Sequence, residues 1–171
     1  MPAFEAQDSA FETRVRGSFA RQRVMQAIGA SLTRVSPGEV EIVLPFREDL
    51  TQQHGFLHAG IVSTIADSAC GYAAYSLMPA DAAVLTVEYK VNFLSPAQGD
   101  RMIARARVTK PGRTVTVCTC DVFAVMNGKE RITAALEVRP TARVPTNLLF
   151  YQGYIAHCAG CEQWQFEYCS A

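Results

Sequence analysis

The apolar positions change period along the chain, and each change marks an element. Phe11, Val15, Phe19, Met25 and Ile28 recur at roughly helical spacing, with Arg14, Arg16, Arg21 and Arg23 falling largely elsewhere. That pattern predicts an amphipathic N-terminal helix over roughly residues 9–29. Ser36-Pro37-Gly38 is a turn signal, and beyond it Val40, Ile42 and Leu44 alternate with Glu39, Glu41 and Val43 as in a strand. Pro45 to Gln53 reads as a polar loop. From Ala59 to Met78 the chain is apolar and rich in small residues, which predicts one long buried helix. The period then becomes two. Leu85, Val87, Tyr89, Val91 and Phe93 form one alternating set, and Met102, Ala104, Ala106 and Val108 form the next. Thr114 to Val125 is strongly β-forming, Asn127-Gly128 is a hairpin signal, and Ile132, Ala134, Leu136 and Val138 make a last strand. Short turns between these four strands predict antiparallel neighbours. One long apolar helix and one antiparallel sheet predict an α+β domain in which the sheet wraps the helix.

Composition narrows the function classes. The 171 residues fit one domain of about residues 1–140 with a tail over 141–171. Lys+Arg and Asp+Glu are balanced at 16 each, so no basic excess points to nucleic acid. The N-terminus is polar and lacks an apolar signal core, which predicts a cytoplasmic protein with reduced thiols. The Ala59–Met78 stretch has the length of a membrane span, but it carries Asp67 near its middle, and an acid at bilayer depth is costly. A buried helix of a soluble domain is the expectation.

The tail has no clear period and holds Cys158, Cys161 and Cys169 with the single tryptophan. It fits an added interaction segment and a sequence foreign to the domain equally well. Cys158-x2-Cys161 with His157 and Cys169 is too irregular for a zinc site, so no metal is expected. Cys118 and Cys120 share one face of a strand and read as core. Cys70 has no evident activating base and is not read as a nucleophile.

Asp67 is the only charged side chain between Asp49 and Asp81. A buried carboxylate is costly unless paired, hydrogen-bonded or protonated. Ser63, Gly71 and Ala74 lie at helical offsets from it, which leaves room beside the acid. Bonding to Ser63 or Ser68 would explain it structurally, and a catalytic role would explain it equally. Gly60 begins the helix with no charge in the first turn, so free N–H groups there can donate to an oxyanion, helped by the helix dipole. Asp67 is roughly 10 Å further along the axis, too far for one subunit to use both ends of that helix together. A second subunit closing the site is the natural solution. His58 is read as a residue shaping the helix start. His54 and His58 are four apart, but His54-Gly55 precedes the helix and no Glu follows His54, so metal binding is not expected.

Gln52-Gln53-His54-Gly55-Phe56-Leu57-His58-Ala59-Gly60, followed by Ile61 to Asp67, resembles the PaaI-like acyl-CoA thioesterases of the hotdog-fold superfamily. Their pattern is Asn or Gln, then HG, then H-G-G, then an acid nine residues after the second His. Val91-Asn92-Phe93-Leu94-Ser95-Pro96-Ala97 and Lys110-Pro111-Gly112-Arg113 match two further signatures, so the resemblance covers roughly residues 20–138. Ala59 departs from it, standing where relatives carry the first Gly of the pair. Alanine keeps the N–H that polarises the thioester carbonyl but restricts the backbone.

The resemblance implies a hotdog fold with an extra N-terminal helix. It implies hydrolysis of an aryl- or fatty-acyl-CoA by a homodimer or dimer of dimers, with no cofactor beyond the coenzyme A of the substrate. Asp67 would attack the thioester or activate water, and Gln52 would orient water or substrate. His58, Ala59 and Gly60 would form the polarising helix start, and Thr86 would assist the water. Lys110 and Arg113 would meet the coenzyme A phosphates. Val62, Ile65, Tyr72, Tyr75 and Phe93 fit an acyl pocket or plain core equally. The rival reading is a hotdog protein that binds or senses acyl-CoA without turning it over. A hydratase on the same fold lacks a convincing His–Asp pair.

Overall fold

The computed structural model describes residues 4–145. Three helices and six strands follow in the order α1 (Phe11–Ala20), α2 (Arg23–Ile28), β1 (Ser31–Ser36), β2 (Glu39–Pro45), α3 (Ala59–Tyr75), β3 (Ala82–Phe93), β4 (Arg101–Lys110), β5 (Val117–Met126) and β6 (Lys129–Pro145). A single 3₁₀ turn, Glu48–Leu50, interrupts the loop before α3. The strands form one antiparallel sheet in the order β1-β2-β4-β5-β6-β3, and α3 packs across β2 to β6. This is the hotdog fold.

The period-two pattern becomes the inner face of the sheet. Along β2 and β5 every second residue is buried, and Ile42, Leu44, Met102, Ala104, Val122 and Val138 meet Val62, Ile65, Ala66, Ala69 and Ala73 of α3. Burying this aliphatic face is the main stabilising term of the domain. The β5–β6 turn has positive φ at both Asn127 (51°) and Gly128 (74°), as a two-residue primed hairpin turn requires.

Three expectations need correction. The N-terminal helix is two helices, because Gln22 leaves the helical region (φ −79°, ψ 95°) and restarts the chain as the N-cap of α2. Gly29 then ends α2 in the left-handed conformation (φ 78°). Strand β1 was not anticipated. Only Val35 of its six residues is buried, so an edge strand with one covered position leaves little periodic signal. Lastly, β3 and β4 follow one another in sequence but are not neighbours. β3 pairs with β6, and β4 lies between β2 and β5. The link over residues 94–100 spans about three strand spacings, roughly 14 Å, which seven residues reach easily. Contacts pin it at both ends: Leu94 N–H donates to Thr133 O (2.8 Å) and Asp100 N–H to Val125 O (2.7 Å). Gly99 is required there, since a Cβ would fall 2.4 Å from Val125 O.

α1 is clamped to the C-terminal end of α3 by Arg14. Its guanidinium donates to Asp8 (2.7 Å) and to Met78 O (2.8 Å) and lies 4.2 Å from the Tyr75 ring centroid. This clamp holds α1 against the C-terminal part of α3, where Phe19 and Ser18 meet Tyr72. The backbone of β6 continues to Pro145, opposite Ala82, five residues past the boundary read from the sequence. The remainder of the tail, with Cys158, Cys161 and Cys169, lies outside the described residues. Among those described, no helix is long and apolar enough to cross a membrane.

Candidate active site

The start of α3 is built from a tight loop. Gln52 N–H donates to Phe56 O (2.8 Å), the Gln52 side-chain carbonyl accepts from His54 N–H, and Gly55 supplies a positive φ (79°). Leu57 N–H donates to Ala97 O (2.9 Å) and His58 N–H to Leu50 O (3.0 Å), so the loop is held from two sides. His58 is the N-cap, and its Nδ1 accepts from Gly60 N–H at 2.9 Å. The His58 carbonyl takes the N–H groups of Ile61 and Val62. Gly60 N–H is therefore already engaged, whereas Ala59 N–H has no acceptor among the described residues and points from an exposed helix end. His58→Ala removes this cap and is expected to lower stability by about 1 kcal/mol. His58→Asn, which keeps a capping acceptor, should recover most of that in thermal unfolding.

Asp67 lies in the middle of α3, half-buried, with Oδ1 accepting from Thr86 Oγ1 at 2.7 Å. No hydrogen bond joins it to Ser63 or Ser68, since Ser68 Oγ accepts from Gln22 Nε2 (3.3 Å) instead. Thr86 reaches the acid because β3 is irregular there. Its register against β6 shifts between Thr86 and Glu88, and such bulges re-aim side chains. Burial pushes the Asp67 carboxyl above its ordinary value of 3.8, and the Thr86 hydrogen bond partly opposes that rise. Asp67 opens into a cavity of about 380 Å³ between α1, α3 and β3. Tyr72 and Tyr75 line it, as do Ser18, Gln22 and Gly71.

One chain thus brings Asp67 and Thr86 together, and Gln52, His58, Ala59 and Gly60 together, but not the two groups. Gly60 and Asp67 are about 10 Å apart along the helix, and none of the loop residues lines the Asp67 cavity. Arg113 lines a different cavity, of about 390 Å³, at the far end of α3 beside Phe4, Leu77 and Met78. Lys110 is exposed at the end of β4 and lines neither. Of the apolar candidates, Tyr72 and Tyr75 face the Asp67 cavity, Val62 and Ile65 are core, and Phe93 is exposed. Ser18 and Gln22 had no sequence signal, because α1 and the corner after it meet α3 only in the folded chain.

The buried thiols do not compete for the nucleophile's role. Burial pushes Cys70 well above the ordinary thiol range and Cys118 up to about 12, so neither is a thiolate at neutral pH. Among the described residues no cluster of His, Cys, Asp and Glu could hold a metal ion.

The sequence model of the Thioesterase superfamily matches residues 54–130, from the loop before α3 to the start of β6. A solved thioesterase family protein from Silicibacter pomeroyi is 56% identical, with a TM-score of 0.77 over 78% of this chain and 98% of that one. The chain belongs to the thioesterase superfamily. It is also 34% identical over 127 residues to a protein of Halobacterium salinarum described as an esterase, covering 71% of this chain and 82% of that one. Human acyl-coenzyme A thioesterase 13 is 28% identical over 109 residues, covering 63% of this chain and 76% of its own. Membership of this superfamily makes thioester hydrolysis the reaction class. A thioesterase needs an oxygen nucleophile or a base, and the half-buried Asp67 is the only acid in α3.

Proposed function

We propose that this protein hydrolyses an acyl-coenzyme A to the free acid and coenzyme A, with Asp67 as the catalytic carboxylate. The observation that carries the reading is an ionisable carboxyl, raised by burial, opening into a cavity large enough for an acyl group. Thr86 occupies Oδ1. Oδ2 is then the oxygen that attacks the thioester carbon or takes a proton from the water that does. If Oδ2 attacks, the coenzyme A thiolate departs from a mixed anhydride with Asp67, which water then hydrolyses to the acid; if Oδ2 takes the water's proton, the tetrahedral adduct expels the thiolate, which takes up that proton, and leaves the acid. The name of the human relative supports coenzyme A as the thiol carrier.

The oxyanion donor comes from a second copy of the chain. β3 is an edge strand, and Val87 (50% exposed), Tyr89 (50%) and Phe93 (49%) make it apolar as well. An exposed apolar edge is normally covered. Pairing two such edges brings the α3 start of one subunit, with its free Ala59 N–H, to the Asp67 of the other. Gln52 from that same loop orients the water. Lys110 and Arg113 hold the phosphates of coenzyme A. No cofactor enters the reaction.

A panel of aryl- and short- to long-chain acyl-CoAs, read by free thiol release, tests the reading. Tight binding of acyl-CoA with no thiol release would instead make the protein a binding or sensing module.

The acid limb of the rate profile carries a second test. The carboxylate must be ionised to act, so turnover falls as pH drops through the raised Asp67 value. The Thr86 hydrogen bond favours the ionised form. Thr86→Val is expected to move the limb to higher pH, seen in kcat against pH. An unmoved limb would detach Thr86 from the reaction.

A further inference from the structure

Ser63 is 7% exposed, and its hydroxyl has no hydrogen-bond partner among the described residues. A helical serine or threonine can bond the carbonyl of the turn before it, as Thr64 does to Gly60 O (2.7 Å), but Ser63 does not. Buried polar groups are nearly always paired. The unpaired side-chain atoms sealed inside the chain are Arg14 Nη1 and one end of the Gln22 amide; Ser63 Oγ is not among them and keeps a little open surface. A group from outside the chain can therefore reach it.

Its place on α3 says which group. Ala59, Ser63 and Asp67 are each four residues apart, so they stack along one face of the helix. That face carries the free N–H at one end and the acid further along. In the dimer proposed above, the two sheets join through β3, and both α3 helices lie on the same side of the joined sheet. A two-fold axis makes such helices antiparallel. Asp67 then faces the partner's Ala59, and Ala59 faces the partner's Asp67. The residue midway between them faces its own copy, and that residue is Ser63. The reaction also limits the spacing. The thioester carbon must lie about 3–3.5 Å from Asp67 Oδ2, and its oxygen about 3 Å from the partner's Ala59 N. Only one layer of side chains fits between the helices, and serine is small enough to stand on the axis.

We propose that the two-fold axis passes between the Ser63 side chains of two subunits, that each hydroxyl bonds the other, and that this contact sets the distance from Asp67 to the partner's Ala59 N–H. A hydroxyl both donates and accepts, so two identical serines satisfy one another. Ser63 is thus a positioning residue: it acts on the reaction only through the spacing of the helices. This rests on the dimer and the thioesterase reading above, in which the site is incomplete without the partner.

Cysteine cross-linking tests the axis without using turnover. Cys70, Cys118 and Cys120 are buried, so the tail thiols Cys158, Cys161 and Cys169 are replaced by serine in the full chain. Ser63→Cys on that background, oxidised in air with copper–phenanthroline, is expected to run as a disulfide-linked dimer on a non-reducing gel. Facing residues of helices packed about 8–10 Å apart are within disulfide reach. Thr64→Cys, one residue round the helix, is expected to run as a monomer on the same gel. Ser63→Leu forces the helices apart and is expected to lower kcat by about tenfold or more, with KM little changed because the Asp67 cavity lies within one chain. If Ser63→Leu does not fold, Ser63→Thr shifts kcat in the same direction by less. A folded dimer that cross-links no better through Ser63→Cys than through Thr64→Cys overturns the axis. An unchanged kcat in folded Ser63→Leu overturns the role of Ser63 in spacing. A wild type that sediments as a monomer overturns the dimer and the axis together. Cross-linking through Ser63→Cys, beside a wild type that turns over no thioester, upholds the axis and overturns the thioesterase reading.

Discussion

Asp67→Asn is expected to abolish thioester turnover while raising the melting temperature. The loss follows from chemistry: the amide is neither a nucleophile nor a base, and removing such a group costs about 10³-fold or more in kcat. The gain follows from linkage. Burial raises the folded-state value of this carboxyl above the ordinary 3.8, so the folded protein holds its proton more tightly than the unfolded chain does. Stability from that group is therefore greatest at low pH. It declines as pH rises from the unfolded value through the folded one, and at neutral pH the ionised carboxylate works against folding. Asparagine has the same shape, can still bond Thr86 and carries no charge to desolvate. Thiol release and differential scanning calorimetry on the same preparations check both halves. Full activity in the folded variant would remove Asp67 from the mechanism. A fall in melting temperature at neutral pH would mean that the carboxylate is stabilised by something other than Thr86.

Tyr89→Asp is expected to separate the subunits and lower turnover by about 10²-fold or more, with each chain still folded. Tyr89 is half exposed on the outer edge of the sheet, so an acid there leaves the core under α3 intact. Across two paired β3 edges, however, each Asp would face apolar side chains and a like charge. In the dimer proposed above, separation would remove the partner's Ala59 N–H from Asp67. The same-chain copy cannot replace it, because it lies about two helical turns away. Loss of one such donor typically costs 10²–10³-fold. Sedimentation velocity and circular dichroism, beside thiol release, distinguish the outcomes. A folded monomer with undiminished turnover would mean that one chain completes its own site.

Much of the fold and part of the site were legible in the residues. The long helix, the alternating strands and the Asn127-Gly128 turn each record a local face, and a local face is what period and turn chemistry encode. Asp67 stood out because a lone charge in an apolar helix breaks the pattern around it. His58 as the residue shaping the helix start followed from its place just before Gly60, and its Nδ1 contact with Gly60 N–H gives that role an atom. Strand β1 was not legible, because one buried side chain in six is no pattern. The break at Gln22 was not read, although the six-residue step from Phe19 to Met25 departs from the three, four or seven of a continuous helical face.

The sequence by itself determined the buried face of α3 and of most strands, where the chain turns and which acid is out of place; the apolar set of β3 is the exception, with Val87, Tyr89 and Phe93 about half exposed. These depend on the order of residues over a few turns of helix or strand. Only the tertiary structure decided that β3 sits beside β6 at the open edge, that a bulge turns Thr86 onto Asp67, and that the corner between α1 and α2 brings Gln22 to the cavity. It also decided that Gly60 N–H is taken by His58 while Ala59 N–H has no acceptor among the described residues. Those are relations between residues far apart in the chain, such as Asp67 and Thr86, nineteen apart, or Gln22 and Ser68, forty-six apart. Periodicity carries no information about such pairs. They are fixed when the sheet closes around α3 and the links between strands choose their routes.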